Sequence, residues 1–507
     1  MNIIEKIDLW ALKSPNTIAF KNFKDEISYY QLKIKSDALS NWILKSLNDP
    51  EKSQIIVYGH MQVEMLPAFL GCVKAGHAYI PVDESTPIDR LKKIIDNSAS
   101  QLIILLNPEM DFEYEDTKIL GIDQLQKIFK QAEKIDCSKE YWVKEDENFY
   151  IIYTSGSTGE PKGVQISSIC LGSFIDWMLT DFGITQNQRF LNQAPFSFDL
   201  SVMDLYPCLV SGGTLVAIEK HLINKPKEMY KFLGESDVEI WVSTPSFVEM
   251  CMMNKEFNES LMPTIKSFFF CGEVLTTNCA QKLLERFPSA NVFNTYGPTE
   301  ATVAVTSVKI TKDIILNNDT LPIGIPKKDT NISIVNHNGE PLPDGEKGEI
   351  IISGPSVSKG YLRNQEKTNE VFSKHQGVFA YKTGDSGNFI NGLLYYTGRI
   401  DLQVKLHGYR IELEDIENNI QKVPLVKNVV VIPKVNQGKC TDLHVIAVVK
   451  DHKFEKEYQL TNFLKKALVQ YMPTYMIPRQ FSYVSQLPMT SNGKINRRLL
   501  EEQFVKN

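Results

Sequence analysis

Cysteine is sparse and scattered, with eight residues in 507, no CxxC pair and no His/Cys cluster at zinc-ligand spacing. A disulfide scaffold and a structural zinc site are therefore not expected. No run of about 18 uninterrupted apolar residues occurs, so no membrane span is predicted. Basic blocks are missing and the formal net charge is −6, which argues against a nucleic-acid surface. The opening stretch Met1–Trp10 mixes acids with apolar residues at helical spacing and lacks the basic start and apolar core of a signal peptide. Together these absences predict a cytoplasmic protein that neither spans a membrane nor binds nucleic acid. Internal repeats and low-complexity tracts are also lacking.

What is present is long and ordinary in composition. At 507 residues the chain exceeds a single core, and two or more domains are expected. Short apolar runs at Gln54–Tyr58, Gln101–Leu105, Thr214–Ile218 and Ser267–Cys271 read as strands. Amphipathic segments at Met61–Ala75, Ile88–Asp96 and Cys279–Phe287 read as helices between them. This alternation predicts an α/β architecture with buried sheets. Past residue 320, strands at Asn331–Val335 and Gly348–Ile352 separated by Gly/Asp/Pro turns predict a β-rich subdomain over about 320–400. A boundary is placed at Asp401, giving a large domain over 1–400 and a small α+β domain over 401–507. The small domain is expected to hold a helix near Glu412–Val423, strands near Val429–Pro433 and Leu443–Val449, and a helix near Gln459–Met472.

The stretch Tyr153-Thr-Ser-Gly-Ser-Thr-Gly-Glu-Pro-Lys-Gly163 follows an apolar run, Phe149–Tyr153. Glycines let backbone approach an anion, and hydroxyls, amides and a lysine supply donors. It is not a P-loop, because Pro161, Lys162 and Gly163 stand where Gly, Lys and Ser/Thr are needed. Nor does its glycine spacing fit a dinucleotide fingerprint. Thr-Ser-Gly-Ser-Thr-Gly-x-Pro-Lys-Gly resembles instead the phosphate loop of the adenylate-forming enzymes, the family of acyl-CoA synthetases, peptide-synthetase adenylation domains and luciferases.

Further motifs follow in that family's order, so the resemblance covers nearly the whole chain. Asn294-Thr295-Tyr296-Gly297-Pro298-Thr299-Glu300 resembles the family's adenine- and magnesium-binding motif. Tyr296 offers a flat ring for a purine, and Glu300 is the hard oxygen ligand that magnesium takes beside phosphates. Asp385, at the end of Tyr381-Lys-Thr-Gly-Asp385, suits a ribose diol, since a carboxylate accepts from both hydroxyls. Tyr396-Thr397-Gly398-Arg399 follows after one hairpin, with Arg399 placed to clamp ribose or phosphate oxygens. Asp401 resembles the hinge between the large domain and a mobile small one. Gln403–Glu414 resembles the signature opening that small domain; its Lys405, Arg410 and Glu412 read, as charges generally do, as a solvated face. Leu487–Arg497 resembles the catalytic-lysine loop, with Lys494 after an Asn-Gly turn. A cation there stabilises the negative charge that gathers when a carboxylate attacks the ATP α-phosphate. Thr154 and Ser155 are the expected phosphate contacts, and Lys162 is read as a supporting charge.

The acid to be activated is read from two segments. Asp199, after two aromatics in Gln193-Ala-Pro-Phe-Ser-Phe-Asp199, fits two roles: capping the helix that follows, or pairing with a substrate ammonium, as in relatives that activate amino acids. Cys271, in Phe268-Phe-Phe-Cys-Gly-Glu-Val274, stands where most relatives carry glycine or alanine, so its thiol narrows the room for a substrate side chain. Val303 is a second wall. These segments resemble the branch of the family that activates D-alanine. That resemblance implies ATP and Mg2+ as cofactors and a phosphopantetheinylated D-alanyl carrier protein acting in trans. It also implies D-alanylation of (lipo)teichoic acid in a Gram-positive cell wall. A free-standing adenylation enzyme for another small amino acid is the nearest alternative. A non-catalytic nucleotide binder would be expected to lack Lys494 or Asp385.

Overall fold

The computed structural model describes residues 2–47, 52–115, 117–131, 137–156, 160–489 and 495–505. Two large sheets form the framework. One has six strands in the order Lys118–Gly121, Leu102–Leu105, Ile55–Tyr58, Tyr79–Val82, Asn148–Thr154 and Lys162–Ser167, parallel except for the last pair. The other has nine strands, with Ile240–Ser243, Arg189–Asn192 and Thr214–Ala217 adjacent and parallel at its centre. Near-continuous apolar runs form these strands because both faces are covered. Phe268, Phe269 and Phe270 show the consequence: Phe269 packs in one hydrophobic core, and its two neighbours pack in another on the opposite face.

A five-stranded antiparallel sheet built from residues 331–399 follows, centred on Val378–Ile390. Beyond it lie a two-stranded hairpin, Gln403–Leu406 with Tyr409–Glu412, and a three-stranded sheet of Val426–Asn436, Lys439–Val449 and Gln480–Tyr483. Helices Leu413–Gln421 and Glu457–Leu468 pack on that sheet around a separate core. Among the described residues, no helix is long and apolar enough to cross a membrane.

The elements read from the sequence are present, with shifted ends. The helix expected over Met61–Ala75 begins at Met65, because Gln62 turns its side chain back to accept from the His60 N–H at 2.7 Å. The helix expected over Gln459–Met472 stops at Leu468. The two small-domain strands are longer than expected, Val426–Asn436 and Lys439–Val449, because Lys434–Asn436 stay paired with Lys439, Cys440 and Asp442 beyond the apolar run.

Candidate active site

The site gathers at the carboxyl ends of the parallel strands, where open α/β sheets bind ligands. Arg189–Asn192 has its chain successor Thr214–Ala217 on one side and the later Ile240–Ser243 on the other, so strand order reverses there. The segment leaving it carries Asp199. Strand Asn148–Thr154 delivers Thr154 and Ser155, Ser267–Phe270 delivers Cys271, and Asn291–Tyr296 leads through Gly297-Pro298 to Glu300.

Asp199, Cys271 and Val303 line one cleft. Asp199 occupies the N-cap position of helix Leu200–Val210 but makes no capping hydrogen bond, so its carboxylate is not consumed by the helix. Burial raises its pKa, against a hydrogen bond from Thr299 and the charge of Lys405. The Cys271 thiol lies 3.5 Å from the Val303 carbonyl, and burial pushes its pKa up. Thr302 and Val303 adopt φ of +59° and +70°. The adjoining chain leaves no slack, since a Cβ on Gly297 would fall 2.6 Å from the Ala304 Cα.

On the nucleotide side, the Tyr296 hydroxyl donates to Asp385 Oδ2 at 2.6 Å and Arg399 Nη1 donates to Oδ1 at 2.8 Å. A carboxylate has about four acceptor positions, so room for a diol remains. Arg399 also holds Asp401 through two nitrogens, at 2.8 and 2.5 Å. Thr295 and Asn294 donate to the carbonyls of Phe270 and Pro322, and so fix the strand rather than face outward. Tyr396 lies 6.4 Å from the Tyr296 ring, and the hydroxyl of Thr397 bonds Ser386. Gly398, between Thr397 and Arg399, has φ +130°. Neither Asn294 nor Thr299 caps the turn after Pro298.

Of the glycine-rich loop, residues 157–159 lie outside the described residues; Thr154–Gly156 and Glu160–Gly163 lie within them. Gly156 is required by close approach, since a Cβ there would sit 2.2 Å from the Glu160 carbonyl. The Thr154 hydroxyl is buried and has no hydrogen-bond partner among the described residues. Ser155 is engaged: its hydroxyl donates to the Arg410 carbonyl (3.0 Å) and accepts from the Glu412 N–H (3.3 Å). Lys162 is buried 3.7 Å from Glu412, and burial lowers its pKa. Lys494 lies outside the described residues.

The reading of Arg410 and Glu412 as a solvated face is corrected here. The hairpin Gln403–Glu412 inserts between the domains, with His407 and Gly408 at φ of +52° and +84° forming its tight turn. The Gly408 N–H donates to Glu273 at 2.8 Å, and Arg410 Nη1 donates to Glu300 Oε2 at 2.6 Å. Glu300 is fully buried, and its other oxygen accepts from the Tyr361 hydroxyl at 2.7 Å. Burial pushes its pKa up, but Arg410 and Tyr361 outweigh burial and hold it at about 2. Tyr361 and Glu273 were not singled out by sequence. Their roles are set by residues 61 and 135 positions away, so only the fold identifies them.

Among the described residues, no cluster of three metal-ligating side chains exists. A lone carboxylate still fits magnesium, which takes one or two protein oxygens and completes its shell from phosphates and water. In this arrangement Arg410 donates to one Glu300 oxygen, so an ion bound to the same carboxylate would sit beside the guanidinium and be opposed by its charge.

Comparison with known proteins agrees with this layout. Residues 7–362 match the AMP-binding enzyme family and residues 415–494 match the AMP-binding enzyme C-terminal domain. Over 500 residues the chain is 51% identical to D-alanine--D-alanyl carrier protein ligases of Bacillus cereus and Bacillus mycoides, covering 99% of both chains in each case. Among solved structures it is similar to a Vibrio cholerae adenylation domain in complex with glycyl-adenosine-5'-phosphate. That match has a TM-score of 0.83 and 22% identity, over 100% of this chain and 98% of the other. It is also similar to the o-succinylbenzoate CoA synthetase of Bacillus subtilis, with a TM-score of 0.82 and 20% identity over 99% and 98%.

Proposed function

The chain belongs to the AMP-binding enzyme family, and on that premise we propose that it activates D-alanine with ATP and passes the D-alanyl group to the phosphopantetheine thiol of a separate carrier protein. The observation that carries this reading is Asp199. It is a carboxylate at a helix start that caps nothing and faces a cleft walled by Cys271 and Val303. An ammonium satisfies that charge, and the two walls leave room for a methyl group. The 51% identity to ligases bearing that name supports the same substrate and acceptor.

In the first half-reaction Asp199 holds the ammonium and turns the D-alanine carboxylate toward the phosphate loop. Tyr296 offers its ring to adenine, Asp385 accepts from the ribose hydroxyls, and Arg399 fixes Asp385. Thr154, whose hydroxyl has no partner among the described residues, and Ser155 donate to phosphate oxygens. A carboxylate oxygen bonds to the α-phosphorus as the bond to pyrophosphate breaks, giving D-alanyl-AMP. Lys494 supplies the cation for the charge on the transferring oxygens. Magnesium beside Glu300 neutralises triphosphate charge when bound. Fixing both reactants removes the entropy cost of their encounter.

In the second half-reaction the small domain turns about Asp401, and the hairpin takes its place with Arg410 on Glu300 and Ser155 bound to its backbone. The carrier thiol enters through the cleft between Gly272–Leu275 and the residues Val431–Cys440 of the long small-domain hairpin. Sulfur bonds to the D-alanyl carbonyl, the C–O bond to AMP breaks, and AMP leaves. Amino-acid-dependent ATP–pyrophosphate exchange with D-alanine, L-alanine and glycine tests the reading. D-alanine should dominate; preference for glycine or L-alanine would favour an adenylation enzyme for another small amino acid.

A further inference from the structure

Three rings from three parts of the chain meet behind the Asp199 cleft. Tyr475 lies in the short turn Thr474–Met476 and stacks on Tyr409 of the docked hairpin, with centroids 3.7 Å apart and planes 14° apart. Phe198, the residue before Asp199 in the large domain, meets Tyr409 edge-on at 4.6 Å and 86°. It also lies 6.0 Å from Tyr475. The edge-on contact is a favoured geometry for a ring pair, while centroids at 3.7 Å set the two tyrosines nearly face to face in close van der Waals contact. Tyr475 is anchored from below, because Met472 and Met476 on either side of it are buried in the small-domain core.

The hairpin has only two strands and a two-residue turn, and a lone ribbon of that size is not rigid by itself. Its Gly408 N–H, Arg410 carbonyl and Arg410 guanidinium must nevertheless reach Glu273, Ser155 and Glu300 together. The Tyr475 ring is the surface against which Tyr409, between Gly408 and Arg410, is flattened. With Tyr409 it also forms the socket that receives Phe198. Tyr475 faces a second cleft, on the side of Thr154 and Ser155, and not the Cys271 cleft.

We propose that Tyr475 is a positioning residue for the thioester-forming half-reaction: it braces Tyr409 so that the hairpin docks in register and Phe198 is seated beside the Asp199 site. The inference rests on the two-step reading above. Its contribution comes from the ring face, so the hydroxyl is dispensable.

The test measures the half-reactions separately in the full chain. Tyr475→Ala should leave D-alanine-dependent ATP–pyrophosphate exchange within about twofold of the unaltered protein. Transfer of preformed D-alanyl-AMP to the phosphopantetheinylated carrier should fall about tenfold, the size of one or two ring contacts. Tyr475→Leu, which keeps apolar bulk under the hairpin but loses the stack, should behave like alanine, and Tyr475→Phe should restore transfer. Unchanged transfer, or equal loss in both half-reactions at an unaltered melting temperature, overturns the inference. Absence of D-alanine-dependent exchange in the unaltered chain would instead overturn the functional reading, so the two failures are distinct.

Discussion

Val303 is a β-branched residue held at φ +70°, next to Thr302 at +59°. Each costs of order 1–3 kcal/mol and persists only where the surroundings enforce it. Here Gly297 presses from one side and the Thr302 hydroxyl donates to the Ser356 carbonyl at 2.7 Å on the other. The strained turn brings the Val303 carbonyl to the Cys271 thiol, and together they form one wall of the cleft. On the proposed reading, with the ammonium on Asp199 and the carboxylate aimed at ATP, two directions would remain for the methyl group, and this wall would close one. Cys271→Ala should therefore raise L-alanine activation relative to D-alanine in exchange assays; an unchanged ratio would remove Cys271 from the selection of hand. Asp199 makes a second prediction. Burial raises its pKa above the usual carboxylate value, so without substrate it takes up a proton more readily than an exposed Asp. Ammonium binding needs the ionised form. Substrate affinity should thus be full above that raised pKa and fall as pH drops through it. Asp199→Asn should weaken binding on the order of a hundredfold and flatten this acid limb, as read by D-alanine KM against pH.

The docking hairpin is specified by its turn and by what the turn touches. His407 and Gly408 both take positive φ, the requirement of a two-residue turn matched to strand twist. Gly408 carries a second constraint, because a Cβ there would lie 2.4 Å from the Thr244 Cγ2. Gly408→Ala should then spare adenylation and depress carrier loading at least tenfold. Adding Thr244→Ser should recover part of the loss. Serine keeps the hydroxyl that accepts from the Phe247 N–H at the start of helix Pro245–Cys251 and deletes only the methyl. A double variant no better than Gly408→Ala would show that the conformational cost, and not the collision, dominates. This element also marks where sequence reasoning stopped. The strand before the glycine-rich loop and the turn at Gly297-Pro298 were legible, because their signals lie within a few residues. Arg410 looked like a surface charge because its partner, Glu300, is 110 residues away and the period of a short strand says nothing about a distant carboxylate. Asp199 was legible as a choice between two roles, and the missing cap hydrogen bond removes one of them.

Across the whole molecule, the small domain is held in this orientation by contacts at widely separated points. Lys439, at the far end of its long hairpin, pairs with Glu249 at 2.7 Å; Arg90 faces Asp415 at 3.7 Å; Arg410 reaches Glu300 between them. The last contact places a guanidinium beside the carboxylate a metal would use, so the two positive charges oppose each other there. Magnesium with a non-hydrolysable ATP analogue should therefore shift the distance between spin labels at the exposed positions Met253→Cys and Tyr458→Cys. The analogue without metal should shift it less. Identical distance distributions in the two conditions would refute this opposition.

All eight cysteines are free and buried. Burial raises the pKa of Cys279 and Cys440 to about 12, and raises Cys271 as well. A mixed anhydride of an amino acid and AMP acylates any thiolate it meets, and on the proposed reading Cys271 lines the cleft where that anhydride would form. A sulfur kept protonated is a poor nucleophile. The protein therefore shapes its substrate with the same element it must hand the product to, and avoids esterifying itself because the arriving thiol is the one free to ionise.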